Sequence, residues 1–242
     1  MATKRADLLL VERGLFASRA RAQEAIAAGL VSANGRAVAK ASALLPEDAE
    51  IEATAAHPWA SRGGLKLAAG LASFALDPRG LVCLDIGAST GGFTDVLLAG
   101  GARKIVAVDV GRDQFDPRLK ADPRVTSFEA FDARQLNSEM LGEAPQLIVC
   151  DVSFISQRLI LPVALKLAAP GAAYIGLVKP QFEVGRERLK KGVVKDEAAL
   201  SQACDEVRAC VEAQGWTSLG LIASPVLGGD GAREFLYAAR NG

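Results

Sequence analysis

Asp85-Ile-Gly-Ala-Ser-Thr-Gly-Gly-Phe93 decides what kind of fold this chain adopts. It joins a predicted strand, Val82–Ile86, to a predicted helix over residues 91–100, so its glycines sit in a strand-to-helix turn. Glycine lets a backbone approach a ligand closely, and a helix start offers free N–H groups. The spacing is Gly87-x-x-x-Gly91-Gly92, not Gly-x-Gly-x-x-Gly, and no Gly-Lys-Ser/Thr of a phosphate-binding loop accompanies it. The next predicted strand ends in Asp109, roughly twenty residues beyond the loop, where an acid can hold a ribose diol. Asp132 ends the third predicted strand; it is placed either to touch an adenine ring or simply to close a strand-end turn. With Asp85, Gly87, Ser89, Thr90, Gly91, Gly92, Phe93 and Asp151, these two acids are the candidate cofactor-binding residues.

From Gly63 onward strands and helices alternate, as in a mostly parallel sheet. Strands are expected at 82–86, 104–110, 124–131, 146–151, 172–178, 217–224 and 234–239, with helices near 63–76, 91–100, 156–169 and 196–214. Pro225-Val-Leu-Gly-Gly-Asp-Gly231 is turn-rich, so the last two strands are expected to pair as a hairpin. Seven strands ending in a hairpin suggest an α/β, Rossmann-like methyltransferase sheet with one antiparallel strand. A glycine loop alone also suits nicotinamide cofactors. The loop spacing and the terminal hairpin together point to S-adenosylmethionine.

Four charged residues are the candidates for chemistry. Asp151 ends the fourth predicted strand in Cys150-Asp-Val-Ser-Phe154, and Lys179 ends the fifth in Leu177-Val-Lys-Pro-Gln-Phe182. Strand carboxyl ends line the ligand crevice of an open α/β sheet, so both face the cofactor. Lys66 lies on the helix before the first strand, and Glu234 opens the final strand. A lysine at a buried strand end is costly unless an acid pairs with it. The cluster therefore has a purely structural reading, as ion pairs that stabilise the sheet ends, and a catalytic one. Lysine is seldom placed in a dry site without chemical use, which favours the catalytic reading.

Residues 1–58 have a different character. Leu8, Leu9, Leu10 and Leu15 form an apolar pattern with Gly14 as a helix stop, and Ser18 is placed to cap a second helix that runs to Gly29. Asn34-Gly35 joins two short extended pieces and is a strong hairpin signal. A short strand follows near Ala49–Ala53, and His57-Pro58-Trp59 reads as a linker to a second domain, 59–242. Residues 1–45 carry seven basic and three acidic side chains, +4, while the remainder is −4. Arg5, Arg19, Arg21, Asn34 and Arg36 are candidates for a phosphate-facing surface on this lobe. Arg62, beyond the linker, joins them, as do Arg186, Arg188, Lys190 and Lys191 in a glycine-flanked basic stretch expected to be a mobile loop. Either cluster can also be a merely solvated surface.

Composition narrows the rest. Half the residues are hydrophobic and 23% are charged, which suits a globular core. The four cysteines form no Cys-x-x-Cys pair and there is one histidine, so no metal site is expected. No apolar signal region or membrane-length run is present, so the protein is expected to be cytoplasmic, without membrane association, and a monomer.

Two resemblances sharpen these expectations. Asp7-Leu8-Leu9-Leu10-Val11, Ser18-Arg19-x-Arg21-Ala22-Gln23 and Val31-x-x-Asn34-Gly35 resemble the small α+β RNA-binding domain found in a small-subunit ribosomal protein, tyrosyl-tRNA synthetases and pseudouridine synthases. Residues 59–242 resemble the hemolysin-A-type (TlyA-type) ribosomal RNA methyltransferases, which are similar to the FtsJ-type ribose 2′-O-methyltransferases. The matching stretches are Ser61-Arg-Gly, Gly87-Ala-Ser-Thr-Gly-Gly-Phe, Ala107-Val-Asp-Val-Gly, Asp151-x-Ser-Phe-Ile-Ser, Val178-Lys-Pro-Gln-Phe-Glu and Ala223-Ser-Pro. The resemblance implies a Lys-Asp-Lys-Glu catalytic set on Lys66, Asp151, Lys179 and Glu234, with Glu234 the loosest match. It implies methyl transfer to a ribose 2′-hydroxyl of cytidine in ribosomal RNA, on the large subunit before the small, with RNA or a ribosomal subunit as partner. Neither the Asn-Pro-Pro-Tyr nor the Pro-Cys of base methyltransferases stands at Asp151-Val-Ser-Phe154, so ribose is favoured. The alternative is a non-catalytic RNA-binding assembly factor, which has no reason to keep the four charged residues.

Overall fold

In a computed structural model, residues 2–228 and 231–242 are described, without the side chain of Arg186. The chain divides into two compact units, Met1–Pro58 and Trp59–Gly242.

The first unit contains β1 (Thr3–Arg5), α1 (Ala6–Glu12), α2 (Arg19–Ala27), β2 (Val31–Ala33), β3 (Arg36–Ala37), β4 (Leu44–Pro46) and β5 (Ile51–Ala53). Ser18 caps α2 by accepting a hydrogen bond from the Arg21 backbone amide. Asn34 and Gly35 both have positive φ (50° and 71°), as the tight turn between β2 and β3 requires. β2 is the centre of a three-stranded sheet flanked by β3 and β5. Leu10, Ala22, Ala25, Ile26 and Val31 fill the core beneath it. The sequence pattern did not reveal β1 and β4, which pair antiparallel. Each has three residues, too short for an alternation to show, and β4 ends on the strand-breaking Pro46.

The second unit holds α3 (Gly63–Ser73), β6 (Val82–Ile86), α4 (Gly92–Ala99), β7 (Lys104–Val108), α5 (Pro117–Lys120), β8 (Val125–Phe128), α6 (Ser138–Leu141), β9 (Leu147–Cys150), α7 (Leu161–Lys166), β10 (Ala173–Val178), α8 (Pro180–Glu183), β11 (Leu189–Lys190), β12 (Val193–Val194), α9 (Glu197–Glu212), β13 (Trp216–Ala223) and β14 (Phe235–Asn241). Seven strands form one sheet in the order β13-β14-β10-β9-β6-β7-β8. Its strands are parallel except β14, which runs antiparallel to both β10 and β13. The expected seven-stranded, Rossmann-like sheet with a terminal hairpin is thus present.

Both faces of the sheet are covered, because alternate residues of each buried strand point to opposite sides. Cys83, Ile105, Ile175 and Leu236 pack under α3 and α4, while Leu84, Val106, Ile148 and Tyr174 pack under α7 and α9. From β6 the chain winds outward through β7 to β8, then returns to β9 and β10 on the other side of β6. The crevice at such a switch point opens between the carboxyl ends of β6 and β9.

Three expectations need correction. The strand expected to reach Phe131 stops at Phe128, where the Glu129 carboxylate accepts from the Gln114 and Phe115 amides and Ala130 turns to φ 54°. The helix expected over 156–169 is a 3-10 turn, Gln157–Leu159, followed by α7, which restarts with Pro162 in its first turn. The basic stretch expected to be a loop contains the β11–β12 hairpin, turning at Lys191 and Gly192 and packed through Leu189 and Val194. Gly229 and Asp230 of the Pro225–Gly231 turn lie outside the described residues.

Candidate active site

A cleft of about 470 Å³ opens at the carboxyl ends of β6, β7 and β9. From the expected cofactor residues it takes Gly87, Ser89, Asp109, Asp132 and Asp151. Asp109 is fixed by two backbone amides: Oδ2 accepts from Ser89 N (2.8 Å) and Oδ1 from Gly111 N (2.6 Å). Each oxygen keeps a further lone pair, so a ribose diol is chemically suited to this position. Asp132 is gripped by the Arg134 guanidinium at 2.6 and 3.0 Å, which lowers its carboxyl to about 2. Val110, which is 72% exposed, and Phe131 add apolar surface of the kind an adenine ring covers. These features fit S-adenosylmethionine, whose nucleoside carries both a diol and an adenine.

The glycine loop divides into a part that serves the cleft and a part that serves packing. Gly87 has φ 82°, and a Cβ there would meet the Asp151 carbonyl oxygen at 2.5 Å, so the ends of β6 and β9 approach only through glycine. Gly91 and Gly92 do not line the cleft. A Cβ on Gly91 would meet Leu119 at 2.4 Å, and one on Gly92 would meet the Ser61 hydroxyl at 2.2 Å. Phe93 is core, and Thr90 is exposed with its carbonyl bonded to Asp116 N. Asp85 is fully buried under the loop: Oδ2 accepts from the Thr94 hydroxyl at 2.6 Å and Oδ1 is unpartnered. Burial pushes this carboxyl from 3.8 up to about 7, with the Asp151 charge adding to the rise and the Thr94 hydrogen bond opposing it.

The four charged candidates form two ion pairs. Lys66 Nζ donates to Glu234 Oε2 at 2.5 Å, with side chains 10% and 3% exposed. Lys179 Nζ lies 2.6 Å from Asp151 Oδ1, with side chains 12% and 19% exposed, and donates to the Ser153 hydroxyl at 2.8 Å. Strand register explains the convergence. Val178 of β10 is paired with Phe235 of β14, so Lys179 and Glu234 occupy the next position of that ladder. Cys150 of β9 is paired with Gly176 of β10, which puts Asp151 at the same end. The first turn of α3 closes the group: a Cβ on Gly63 would stand 3.6 Å from Asp151 Oδ2, and Lys66 follows one turn later on the same face.

Two side chains lining the cleft were not singled out as site residues in the sequence. One is Ser153. The other is Phe154, which is 91% exposed, has φ 66°, and holds its ring 5.2 Å from that of Phe182. Their place directly after a strand-end acid, inside the family-like stretch Asp151-x-Ser-Phe-Ile-Ser, was the available hint.

Of the basic candidates, Arg5 and Arg19 both donate to Asp7, which is fully buried and also accepts from Gln23. These donors, Arg5 foremost, hold the Asp7 carboxyl well below the ordinary carboxylate range. Arg36 and Arg62 are exposed. Arg21 and Asn34 are engaged by backbone groups: Arg21 donates to the His57 carbonyl, and Asn34 accepts from Glu50 N. Arg188 bonds Gln202, Lys190 and Lys191 are exposed on the hairpin, and the Arg186 side chain lies outside the described residues. Among the described residues no group of three or more His, Cys, Asp or Glu is placed to hold a metal, and no helix is long and apolar enough to cross a membrane.

The chain was compared with known proteins. The FtsJ-like methyltransferase family profile matches residues 59–241. The 16S/23S rRNA (cytidine-2′-O)-methyltransferase TlyA of Mycobacterium tuberculosis is 41% identical over 239 residues, covering 98% of this chain and 89% of that protein. The 23S rRNA (cytidine-2′-O)-methyltransferase TlyA of Campylobacter jejuni is 40% identical over 182 residues, 74% of this chain and 70% of that one. A solved structure of a candidate hemolysin from Streptococcus thermophilus superposes with a TM-score of 0.78 at 38% identity, covering 100% of this chain and 89% of that one.

Asp85 yields a prediction about pH. Its folded pKa of about 7 lies above the unfolded value, so the folded state keeps a proton that the unfolded chain releases. Its contribution to stability is complete below about pH 4 and is lost as pH rises through 7. Asp85→Asn cannot ionise. Its stability relative to wild type should therefore rise by roughly 3 kcal/mol between pH 5 and pH 8 in urea unfolding. Parallel pH profiles for the two proteins would contradict this.

Proposed function

The chain belongs to the hemolysin A (TlyA-type) family of FtsJ-like methyltransferases, and we propose that it transfers the methyl group of S-adenosylmethionine to a ribose 2′-hydroxyl of ribosomal RNA. The observation that carries this reading is the double placement of Asp151. It lines the cleft suited to the cofactor and also pairs with Lys179. The donor and acceptor halves of a transfer reaction therefore share a wall.

A ribose hydroxyl is a poor nucleophile, whereas the cofactor supplies a methyl on an electrophilic sulfonium. What the protein must add is in-line positioning and a destination for one proton. Lys179 is the group at the hydroxyl. Asp151 and Ser153 occupy two of the directions around its ammonium, leaving a third for the acceptor. As the neutral amine it takes the hydroxyl proton on its lone pair; as the ammonium it donates to the hydroxyl oxygen and so orients the attacking lone pair. Asp151 and Glu234 orient the two lysines, and Lys66 holds the acceptor's ribose or phosphate.

Phe154 gives the acceptor base a place to go. An exposed ring three residues beyond Asp151, braced by Phe182, is a stacking surface for a base drawn out of its own stack. Arg5, Arg19 and Arg36 in the first unit, and Lys190 and Lys191 on the hairpin, supply phosphate contacts. Cytidine in large-subunit RNA is the first substrate to try, since both TlyA relatives are named for 23S cytidine. All four charged residues come from one chain, so a monomer suffices, and a ribosomal RNA substrate is consistent with a cytoplasmic protein.

Three outcomes follow for assays with labelled S-adenosylmethionine and separated ribosomal subunits. Lys179→Ala should slow methyl transfer by about 10²–10⁴-fold while cofactor affinity by calorimetry is kept; a rate within tenfold of wild type removes Lys179 from the chemistry. Phe154→Ala should lower kcat/KM for RNA by roughly 10–100-fold, and an unchanged value rejects the stacking surface. Replacing Lys190, Lys191 and the exposed Lys195 just beyond β12 together with Ala should weaken RNA binding and flatten the slope of log K against log salt by about 2. An unaltered slope takes the hairpin out of the RNA contact.

A further inference from the structure

The acceptor side of the site is carried by two segments that have no covalent reason to keep a fixed distance. One is residues 151–154 after β9, with Asp151, Ser153 and Phe154; the other is Lys179 after β10. Behind them lies a buried polar cluster that the methyl-transfer chemistry does not use. At its centre is Glu183, the last residue of α8, four positions beyond Lys179 and with a side chain 1% exposed.

The hydrogen bonds of the Glu183 side chain go to residues 156–158, which directly continue the first segment. Its Oε1 accepts from Gln157 N at 2.9 Å. Its Oε2 accepts from the Ser156 hydroxyl and from Arg158 Nε, the latter at 3.3 Å. Its backbone carbonyl accepts from Arg158 Nη2 at 2.9 Å. The neighbouring Gln157 side chain, itself 1% exposed, makes a second tie: Nε2 donates to the Leu177 carbonyl at 2.7 Å, and Oε1 accepts from the Tyr174 hydroxyl at 2.6 Å. Gly176 makes room for that tie, because a Cβ there would stand 1.8 Å from the Tyr174 hydroxyl oxygen and 2.6 Å from Gln157 Oε1. Residues 156–158 are thus bound at both ends of the turn that leads from β10 into α8.

A buried carboxylate is an expensive way to hold a loop, since apolar packing would hold it with less desolvation. Its advantage is direction: several donors converge on two fixed oxygens, so the loop has one register against the lysine. We propose that Glu183 is a positioning residue that sets Ser153 and Phe154 against Lys179, and so fixes where the acceptor nucleoside sits. This rests on the acceptor role given above to that side of the site. Ser153 and Phe154 line the cleft, but the cluster residues Ser156, Gln157, Arg158 and Glu183 do not, and Ser89 and Asp109 are held by bonds outside the cluster, so cofactor affinity should be far less sensitive to it than turnover.

The test is Glu183→Gln, which keeps the shape of the side chain but turns one acceptor into a donor facing Ser156 and Arg158. Displacing an acceptor by about an ångström costs on the order of 100-fold in rate, so kcat should fall by about that factor with the dissociation constant for S-adenosylmethionine within twofold of wild type. Hydrogen exchange at residues 152–157 should quicken while that of β6 and β7 stays unchanged. Ser156→Ala, which removes one of the same bonds at less risk to folding, should move both readouts the same way by a smaller amount. Turnover within twofold of wild type overturns the proposal. So does a loss of turnover accompanied by loss of cofactor affinity and quicker exchange throughout the sheet, since that is a merely structural role. If wild type transfers no methyl group to RNA, the acceptor reading fails on its own. Hydrogen exchange then still decides whether Glu183 clamps the loop, and unchanged exchange at 152–157 in the variant rejects the clamp.

Discussion

Two lysines held at the carboxyl end of one sheet, each against a single carboxylate, are the constraint on which the second unit depends. Taking a charge out of water costs several kcal/mol per ion, and removing one partner of a buried pair costs about 3–5 kcal/mol. Lys66 and Glu234 come from positions 168 residues apart, and Lys179 and Asp151 from different strands. The Lys179–Asp151 pair closes because β9 lies parallel beside β10, and the Lys66–Glu234 pair closes only if β14 enters the sheet antiparallel beside β10 and α3 crosses the strand ends with its first turn against Asp151. The terminal hairpin is therefore part of the site's construction, because it delivers Glu234 to the end of β10.

The same geometry separates two tasks across the switch point of the sheet. On the side of β6 and β7, Gly87, Ser89 and Asp109 present backbone and carboxylate groups suited to a nucleoside cofactor. On the side of β9, β10 and β14 lie the lysines, Ser153 and the exposed Phe154. Asp151 stands between them, with its amide bonded to the Ile86 carbonyl and its carboxylate beside Lys179. A methyl group moving between the halves needs little travel, and that positioning is most of what this chemistry requires.

The sequence made the sheet and the places of Asp151, Lys179 and Glu234 legible because these follow from strand ends, whereas Lys66 lies on α3 and no strand end announces it. An acid or lysine that closes an apolar run of strand length falls at a fixed place in an open α/β sheet. Where partners are set by tertiary contact, the sequence was less informative. Gly91 and Gly92 belong to the same motif as Gly87, yet their missing side chains make room for Leu119 and Ser61 rather than for a ligand. Asp85 reads as a loop acid but sits beneath the loop with Thr94. Arg21 and Asn34 carry the residue types of a phosphate surface, and are taken by backbone groups 36 and 16 residues away. Phe154 reads as an ordinary apolar residue after a strand, because nothing local announces that it is left 91% exposed.

The central claim is that the acceptor is a ribose hydroxyl reached from the Lys179 side of the cleft. The most direct measurement is to methylate ribosomal RNA with labelled S-adenosylmethionine, digest it fully to nucleosides, and find which atom carries the label. The account predicts a 2′-O-methylated nucleoside. Label on a base would contradict the ribose assignment, and no label on any RNA despite binding of both cofactor and RNA would contradict the enzyme itself.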